Sequence, residues 1–282
     1  MKAALNIFWV ILLLLNIALA SESESEDYLN YRIPADAKKT GPSDTRDPGG
    51  QEYLYFAPGA QVSRENMIAI ELVQNGVLVK RELLKNDKKH GIQREWHLDG
   101  KPKLEAPYRD GNMEGKFKAW NARGDLIGQY TMSKGTGVVM VYDEHGRLVK
   151  EHHYKGNLRD GLRMERVGEK ISLTWSKEGL LIGVGYDFYE NGELATLAFF
   201  SSKGEPNGPL VDFSSKGTLT KMLWYLDGRK VQEAEYAAAA LADPGLPTYR
   251  ADGNQYKQMV RENVRVLVEK YRTLPRVKIP LQ

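Results

Sequence analysis

The sequence contains no cysteine, only five histidines and a formal net charge of +3 over 282 residues. Without cysteine, a disulfide framework, a thiolate metal site, a cysteine nucleophile and a lipidated N-terminus of the bacterial lipoprotein kind are all excluded. The near-neutral charge gives no support for nucleic-acid binding, which requires a basic surface. The length is sufficient for one or two domains with a sizeable core.

No arrangement of polar residues indicates catalysis. His152 and His153 are neighbours on a predicted strand, so their side chains point to opposite faces and do not share a metal ion. Carboxylates such as Glu105 and Glu151 show no repeated spacing of the kind that an acid/base pair needs, and there is no glycine-rich phosphate loop. We therefore predict a non-catalytic protein with no cofactor and no metal site.

Residues 1–20, MKAALNIFWVILLLLNIALA, are typical of a secretory signal peptide. Lys2 supplies the positive start, an apolar run follows, and Ala18–Ala20 fits a cleavage site of small residues. An uncleaved membrane anchor is the alternative, because the run approaches the roughly 20 apolar residues that span a bilayer. We expect export to the periplasm or to the exterior of the cell.

Residues 21–64 are predicted to form a flexible leader. They begin with an acidic run, and Gly41–Gly50 consists of turn formers that cannot bury a core. Tyr53–Phe56 is the apolar exception, and it is either a first strand or a segment that docks on the domain that follows.

A repeat occupies residues 65–236. Asn75 and Gly76 form a strong hairpin signal, and short runs of alternating apolar and polar residues lie between such turns, as expected for half-buried strands. A turn glycine recurs every 22 to 25 residues, which is the mark of a repeat architecture. These glycines are Gly76, Gly100, Gly124, Gly146, Gly168, Gly192 and Gly217.

A second set of glycines opens the units, and we predict that these also occupy turns between strands. The unit around Gly168 is degenerate, because Met164 stands where its neighbours have an aromatic residue, and we expect a bulge or a bend there. The unit-opening glycines are Gly91, Gly115, Gly137, Gly161, Gly183 and Gly208.

Large aromatic residues recur at fixed offsets from the turn glycines, and strand parity predicts that they share one face of the sheet. Stacking along that face would hold the hairpins together, since an isolated hairpin is only marginally stable. The alternative is an exposed platform that binds a sugar or a peptide. The candidate binding residues are Trp96, Tyr108, Trp120, Tyr130, Tyr142, Tyr154, Phe188, Phe213 and Trp224.

Residues 237–282 are predicted to form a helical cap and tail. Ala237–Ala242 favours helix, and a longer helix over residues 254–274 has an apolar stripe and an adjacent basic face. The helix could cover the end strand of the array or contact anionic lipid or cell-wall polymer. The stripe comprises Tyr256, Val260, Val264, Leu267, Tyr271 and Leu274, and the basic face comprises Lys257, Arg261, Arg265 and Arg272.

The pattern Gly-x4-Trp/Tyr/Phe-x3-Gly-x-Leu-x5-Tyr/Phe-x2-Gly-x3-Gly resembles the MORN repeat variant (membrane occupation and recognition nexus), from roughly Met67 to Tyr236. The resemblance implies consecutive β-hairpins laid side by side into an elongated antiparallel sheet. It also implies a scaffold, a protein-binding module or a lipid-contacting module, and some bacterial members are described as antitoxins.

These features predict an exported repeat protein that binds a protein partner, or acts as a scaffold, at the cell envelope. A carbohydrate or peptidoglycan-binding module is the first alternative. An immunity protein against an exported toxin and an enzyme with a site built from scattered residues are the others.

Overall fold

The computed structural model describes residues 27–44 and 50–274, and the predicted signal peptide lies outside this range. The described chain is mainly β-structure, and consecutive strands form antiparallel hairpins. It divides into two compact units between Gly124 and Asp125. The predicted fold class, an all-β array of tandem hairpins followed by a C-terminal α-helix, is confirmed.

The first unit is an antiparallel sheet in which each main strand pairs with the next. Single 3₁₀ turns precede it at Asp27–Asn30 and interrupt it at Arg64–Asn66. Its strands are β1 (Lys38–Asp44), β2 (Gly50–Phe56), β3 (Met67–Gln74), β4 (Val77–Lys85), β5 (Lys88–Lys89), β6 (Gly91–Trp96), β7 (Pro102–Arg109), β8 (Asn112–Met113) and β9 (Gly115–Trp120).

The range predicted as a flexible leader contains regular structure. β1 pairs with β2, and β2 continues into the sheet by pairing with β3. Phe56 is only 3% exposed, so the apolar run at the end of β2 supplies burial that the turn-forming residues before it do not. Of the two interpretations offered for Tyr53–Phe56, the structure shows the strand.

The repeat combines one wide turn with one bend. The predicted Asn75–Gly76 hairpin is present, with φ of 51° and 77° at its two loop residues. At most units, however, a four- or five-residue connection joins the strands, and a β-bulge precedes it at the aromatic residue. The bulged residues include Trp96, Tyr142, Phe188 and Phe213.

One local prediction was wrong, and a second is confirmed at a different pairing. The unit-opening glycines lie at bends inside or beside strands, as Gly183 does in the middle of its strand with φ of 71°, and they do not occupy the loops. In the degenerate unit around Gly168, the expected irregularity lies where Leu158–Val167 pairs with Leu148–Lys155, whereas the hairpin itself pairs regularly from Gly161 to Val167. Its loop is shortened to two residues, so the wide turn that accompanies the bulge elsewhere is absent there.

The second unit is an antiparallel sheet with two helices after its last strand. Its strands are β10 (Leu126–Ser133), β11 (Thr136–Tyr142), β12 (Leu148–Lys155), β13 (Leu158–Val167), β14 (Lys170–Lys177), β15 (Leu180–Tyr189), β16 (Leu194–Phe200), β17 (Pro206–Phe213), β18 (Leu219–Leu226) and β19 (Arg229–Val231). α1 (Glu233–Ala242), a 3₁₀ segment (Gly253–Met259) and α2 (Glu262–Thr273) follow.

The core of the second unit is a row of apolar side chains that crosses five strands. Met164, Leu173, Tyr186, Leu197 and Val211 are successive cross-strand partners, so they share one face, and each is at most 4% exposed. Burial of each side chain contributes about 1.5–3 kcal/mol. We call this set the apolar row.

The C-terminal segment packs on the face that carries the apolar row, and it does not simply cover the end strand. Tyr256, Val264 and Tyr271 are at most 3% exposed within the same core cluster. The predicted single helix is interrupted, because Val260 and Arg261 are extended. Val260 is 7% exposed, so burial of its side chain competes with continuation of the helix.

Candidate functional site

The repeat positions that build the apolar row carry charges in the first unit. Cross-strand pairing places Glu71 opposite Arg81, Arg81 opposite Arg94, Arg94 opposite Glu105, and Glu105 opposite Lys118. These five side chains therefore form a line across β3, β4, β6, β7 and β9 on one face. We call them the charged row.

One end of the charged row is tied down by an aromatic hydroxyl. Arg81 Nε donates to Glu71 Oε1 at 2.7 Å, and Tyr55 Oη donates to Glu71 Oε2 at 2.6 Å. Burial, followed by this hydrogen bond, raises the pKa of Tyr55 above its usual value. Both oxygens of Glu71 are thus bound, and the Arg81 guanidinium lies over the Trp96 ring at 5.8 Å from its centroid.

The other end contains a second ion pair. Arg94 Nε donates to Glu105 Oε1 at 3.1 Å, and Lys118 Nζ lies 4.0 Å from Glu105 Oε2. Arg81, Arg94, Glu105 and Lys118 keep 23–39% of their side-chain surface exposed. These charges are therefore oriented by their partners and remain accessible from solvent.

The centre of the charged row places two like charges opposite each other. Arg81 and Arg94 are direct cross-strand partners, and like charges in that position destabilise a sheet. Each arginine compensates through a glutamate on its outer side, but the two guanidinium groups still face the same partly exposed region. A carboxylate from outside would relieve their repulsion.

The nine aromatic residues predicted from the repeat fall into two groups. Phe188, Phe213 and Trp224 are at most 4% exposed and belong to the core of the second unit. The other six are partly buried, and they are Trp96, Tyr108, Trp120, Tyr130, Tyr142 and Tyr154. The degree of burial thus differs along the array, although the repeat pattern is uniform.

The four basic residues of the C-terminal segment do not form one continuous face. Lys257 Nζ donates to the carbonyl oxygen of Gly217, and Arg272 Nε donates to that of Glu190 at 2.8 Å. Arg261 lies in the extended break before α2, while Arg265 is exposed on the helix. Two of the four cations therefore bind the protein's own sheet, and two face solvent.

The adjacent histidines lie on opposite faces, as the strand period requires. His152 Nε2 is 2.9 Å from Glu165 Oε1, whereas His153 Nε2 is 3.1 Å from Glu151 Oε1. Burial lowers the pKa of His152, and Glu165 opposes that shift. Across residues 27–44 and 50–274, no three His, Cys, Asp or Glu side chains are arranged to hold a metal ion.

The charged row was not identified from the sequence. The sequence carries a signal for it, because the corresponding positions of successive repeats are all charged at Glu71, Arg94 and Lys118. The large aromatic residues at fixed offsets dominate the repeat pattern, and the charges lie on the strands between them.

Comparison with known proteins identifies one repeat. Residues 89–110 match the model of the MORN repeat variant family. No curated protein matches the chain significantly. Among the described residues, none of the helices combines the length and the apolar character needed to cross a bilayer. The matched residues include β6 and β7, so the hairpin at the centre of the charged row is the part of the chain that is similar to this family.

Proposed function

We propose that the protein is a non-catalytic, exported binding module that recognises a partner protein at the cell envelope through the charged row. The observation that carries this proposal is the direct pairing of Arg81 with Arg94 on a partly exposed sheet face. Departures from local stability rules are expected at functional sites, because recognition can require what folding alone disfavours.

The chemistry of the row favours an acidic protein surface as the partner. Two arginine side chains held about one strand spacing apart offer paired donors to carboxylates. Their orientation by Glu71 and Glu105 lowers the entropy lost on binding. The proposed export is supported by the composition of residues 1–20, and it implies an interaction in the periplasm or outside the cell.

The test is partner binding by variants that remove the cations and retain the fold. The wild-type protein should retain the partner from an envelope extract, and the purified partner should bind it directly. Arg81→Gln and Arg94→Gln together should abolish that retention. Lys150→Gln and Lys221→Gln, which remove two exposed cations from the second unit, are the matched control. Equal retention by both double variants would refute the proposal, and sedimentation with purified cell wall would support the sugar-binding alternative.

A further inference from the structure

The glycines that open the repeats create small notches on the sheet. We define a notch as the space beside such a glycine that a Cβ atom would occupy. Gly91 and Gly115 have φ of 88° and 97°, and Gly183 and Gly208 have φ of 71° and 142°, so a bend accompanies each notch. What fills the notches differs along the chain.

The two notches of the first unit hold tyrosines from the segment that precedes the sheet. A Cβ at Gly91 would lie 3.1 Å from the Cβ of Tyr31, and one at Gly115 would lie 2.8 Å from Tyr28 Oη. The tyrosine hydroxyls donate to nearby main-chain carbonyls, Tyr31 to Leu84 at 2.8 Å and Tyr28 to Glu114 at 3.2 Å. A short segment with two tyrosines is therefore a natural occupant of this surface.

In the second unit, the notch at Gly208 is filled by a ring from the segment between the two helices. A Cβ at Gly208 would lie 2.8 Å from Pro247 Cγ. The Tyr236 hydroxyl donates a hydrogen bond to the carbonyl oxygen of Pro247 at 2.6 Å. At Gly137 and Gly161, the corresponding space is occupied by Met132 and His153 from neighbouring strands. Each of these notches is closed by a side chain of the protein itself.

The notch at Gly183 is open. Apart from Gly183 and its two chain neighbours, no heavy atom of the described chain lies within 4 Å of a Cβ placed there. It belongs to a cleft of about 330 Å³ lined on the sheet side by Trp175, Ile182, Val184 and Tyr186. These side chains give the cleft apolar and aromatic walls.

A cation stands at the rim of the open notch. Arg261 lies in the extended break before α2, lines the same cleft and is exposed. Its guanidinium has no hydrogen bond or ion pair within the described part of the chain, unlike that of Arg272 at the opposite end of α2. An aromatic cleft with one unpaired cation favours a ligand that combines a ring and a carboxylate.

We propose that the Gly183 notch binds a short segment of a partner protein in which a tyrosine stands beside an acidic residue. The inference rests on the proposed protein-binding function, but it concerns a separate surface. The protein's own sequence shows the chemistry, because Asp27 and Tyr28 are adjacent in the segment that fills the notches of the first unit.

A labelled peptide with the sequence of residues 24–31, ESEDYLNY, provides the probe, and fluorescence anisotropy measures its affinity for the protein. Gly183→Asn fills the notch with a residue that tolerates positive φ, and we expect at least about a tenfold loss of affinity. Gly156→Asn is the matched control, since Gly156 also has positive φ (57°) and open space around it. Arg261→Gln, at an exposed position, should lower affinity about two- to fivefold.

The same peptide with both tyrosines replaced by serine should not bind. Equal affinity of wild type, Gly183→Asn and Arg261→Gln would overturn the inference, as would failure of the tyrosine peptide to bind the wild type. Self-association of the protein that Gly183→Asn abolishes would also overturn it, because the occupant would then be a second copy. The two proposals fail separately. If Arg81→Gln with Arg94→Gln abolishes partner retention while Gly183→Asn leaves the peptide affinity unchanged, the proposed function stands and only the Gly183 site is removed.

Discussion

Replacement of Tyr271 by phenylalanine tests how the C-terminal helix is fastened to the sheet. Tyr271 is 1% exposed, and its hydroxyl donates to Glu151 Oε1 at 3.0 Å. Glu151 is cross-strand to Met164, so this carboxylate lies on the same face as the apolar row and keeps 13% of its side-chain surface exposed. Burial, and then Glu151, raise the pKa of Tyr271 far above the usual tyrosine value.

The expected loss for Tyr271→Phe is about 1.5–3 kcal/mol, the contribution of a hydrogen bond to a charged group. The ring stays in place, so no cavity term is added, and His153, 3.1 Å from the same oxygen, limits the loss to the lower part of that range. Urea unfolding followed by circular dichroism measures it as a shift of the midpoint at constant slope.

Tyr225→Phe is the matched control, because Tyr225 is a partly buried strand residue for which no side-chain hydrogen bond is found in the described chain. A double-mutant cycle with Glu151→Gln should show coupling between the two positions. Equal midpoints for Tyr271→Phe, Tyr225→Phe and wild type would refute the reasoning that this contact fastens the helix.

Three further predictions concern burial, close approach and pH. Trp224→Ala should cost about 3–5 kcal/mol in the free energy of unfolding and Trp96→Ala clearly less, since only the first is buried; equal costs in urea unfolding would contradict this. Gly115→Ala should lower the melting temperature more than Gly100→Ala, because both glycines have positive φ but only a Cβ at Gly115 would meet Tyr28. Identical shifts of the melting temperature would contradict the close approach of Tyr28 to Gly115. Because the pKa of His152 is lowered in the folded protein, the unfolded state takes up this proton first as the pH falls, so the free energy of unfolding should decrease below pH 6.5. His152→Asn should make that decrease less steep. An unchanged pH dependence of the free energy of unfolding in this variant would contradict the prediction.

The repeat could be predicted from the sequence because turn glycines and aromatic residues follow local rules. Asn75 and Gly76, for example, form the expected turn whatever surrounds them. The charged row depends on register, and a bulge between Glu95 and Trp96 sets which residues face each other. The sequence pattern alone does not determine this register, and so it does not determine which charged residues are cross-strand partners.

The C-terminal segment shows a second limit. The apolar stripe correctly marked Tyr256, Val264 and Tyr271 as inward-facing, but it predicted one helix and missed Val268, which is 4% exposed. The break at Val260 follows from tertiary burial on the sheet, which outweighs local helix preference. The docking of Tyr28 and Tyr31 in glycine notches is likewise a long-range contact without a local signal.

Photo-crosslinking in living cells tests the central claim most directly. A photoreactive amino acid placed at position 94, in the charged row, should give one discrete cross-linked protein in the envelope fraction. The same amino acid at position 187, where Asp187 lies on the opposite face from the apolar row in the second unit, should not give that product. No cross-link from position 94, or the same product from both positions, would contradict the assignment of the charged row as the partner-binding surface.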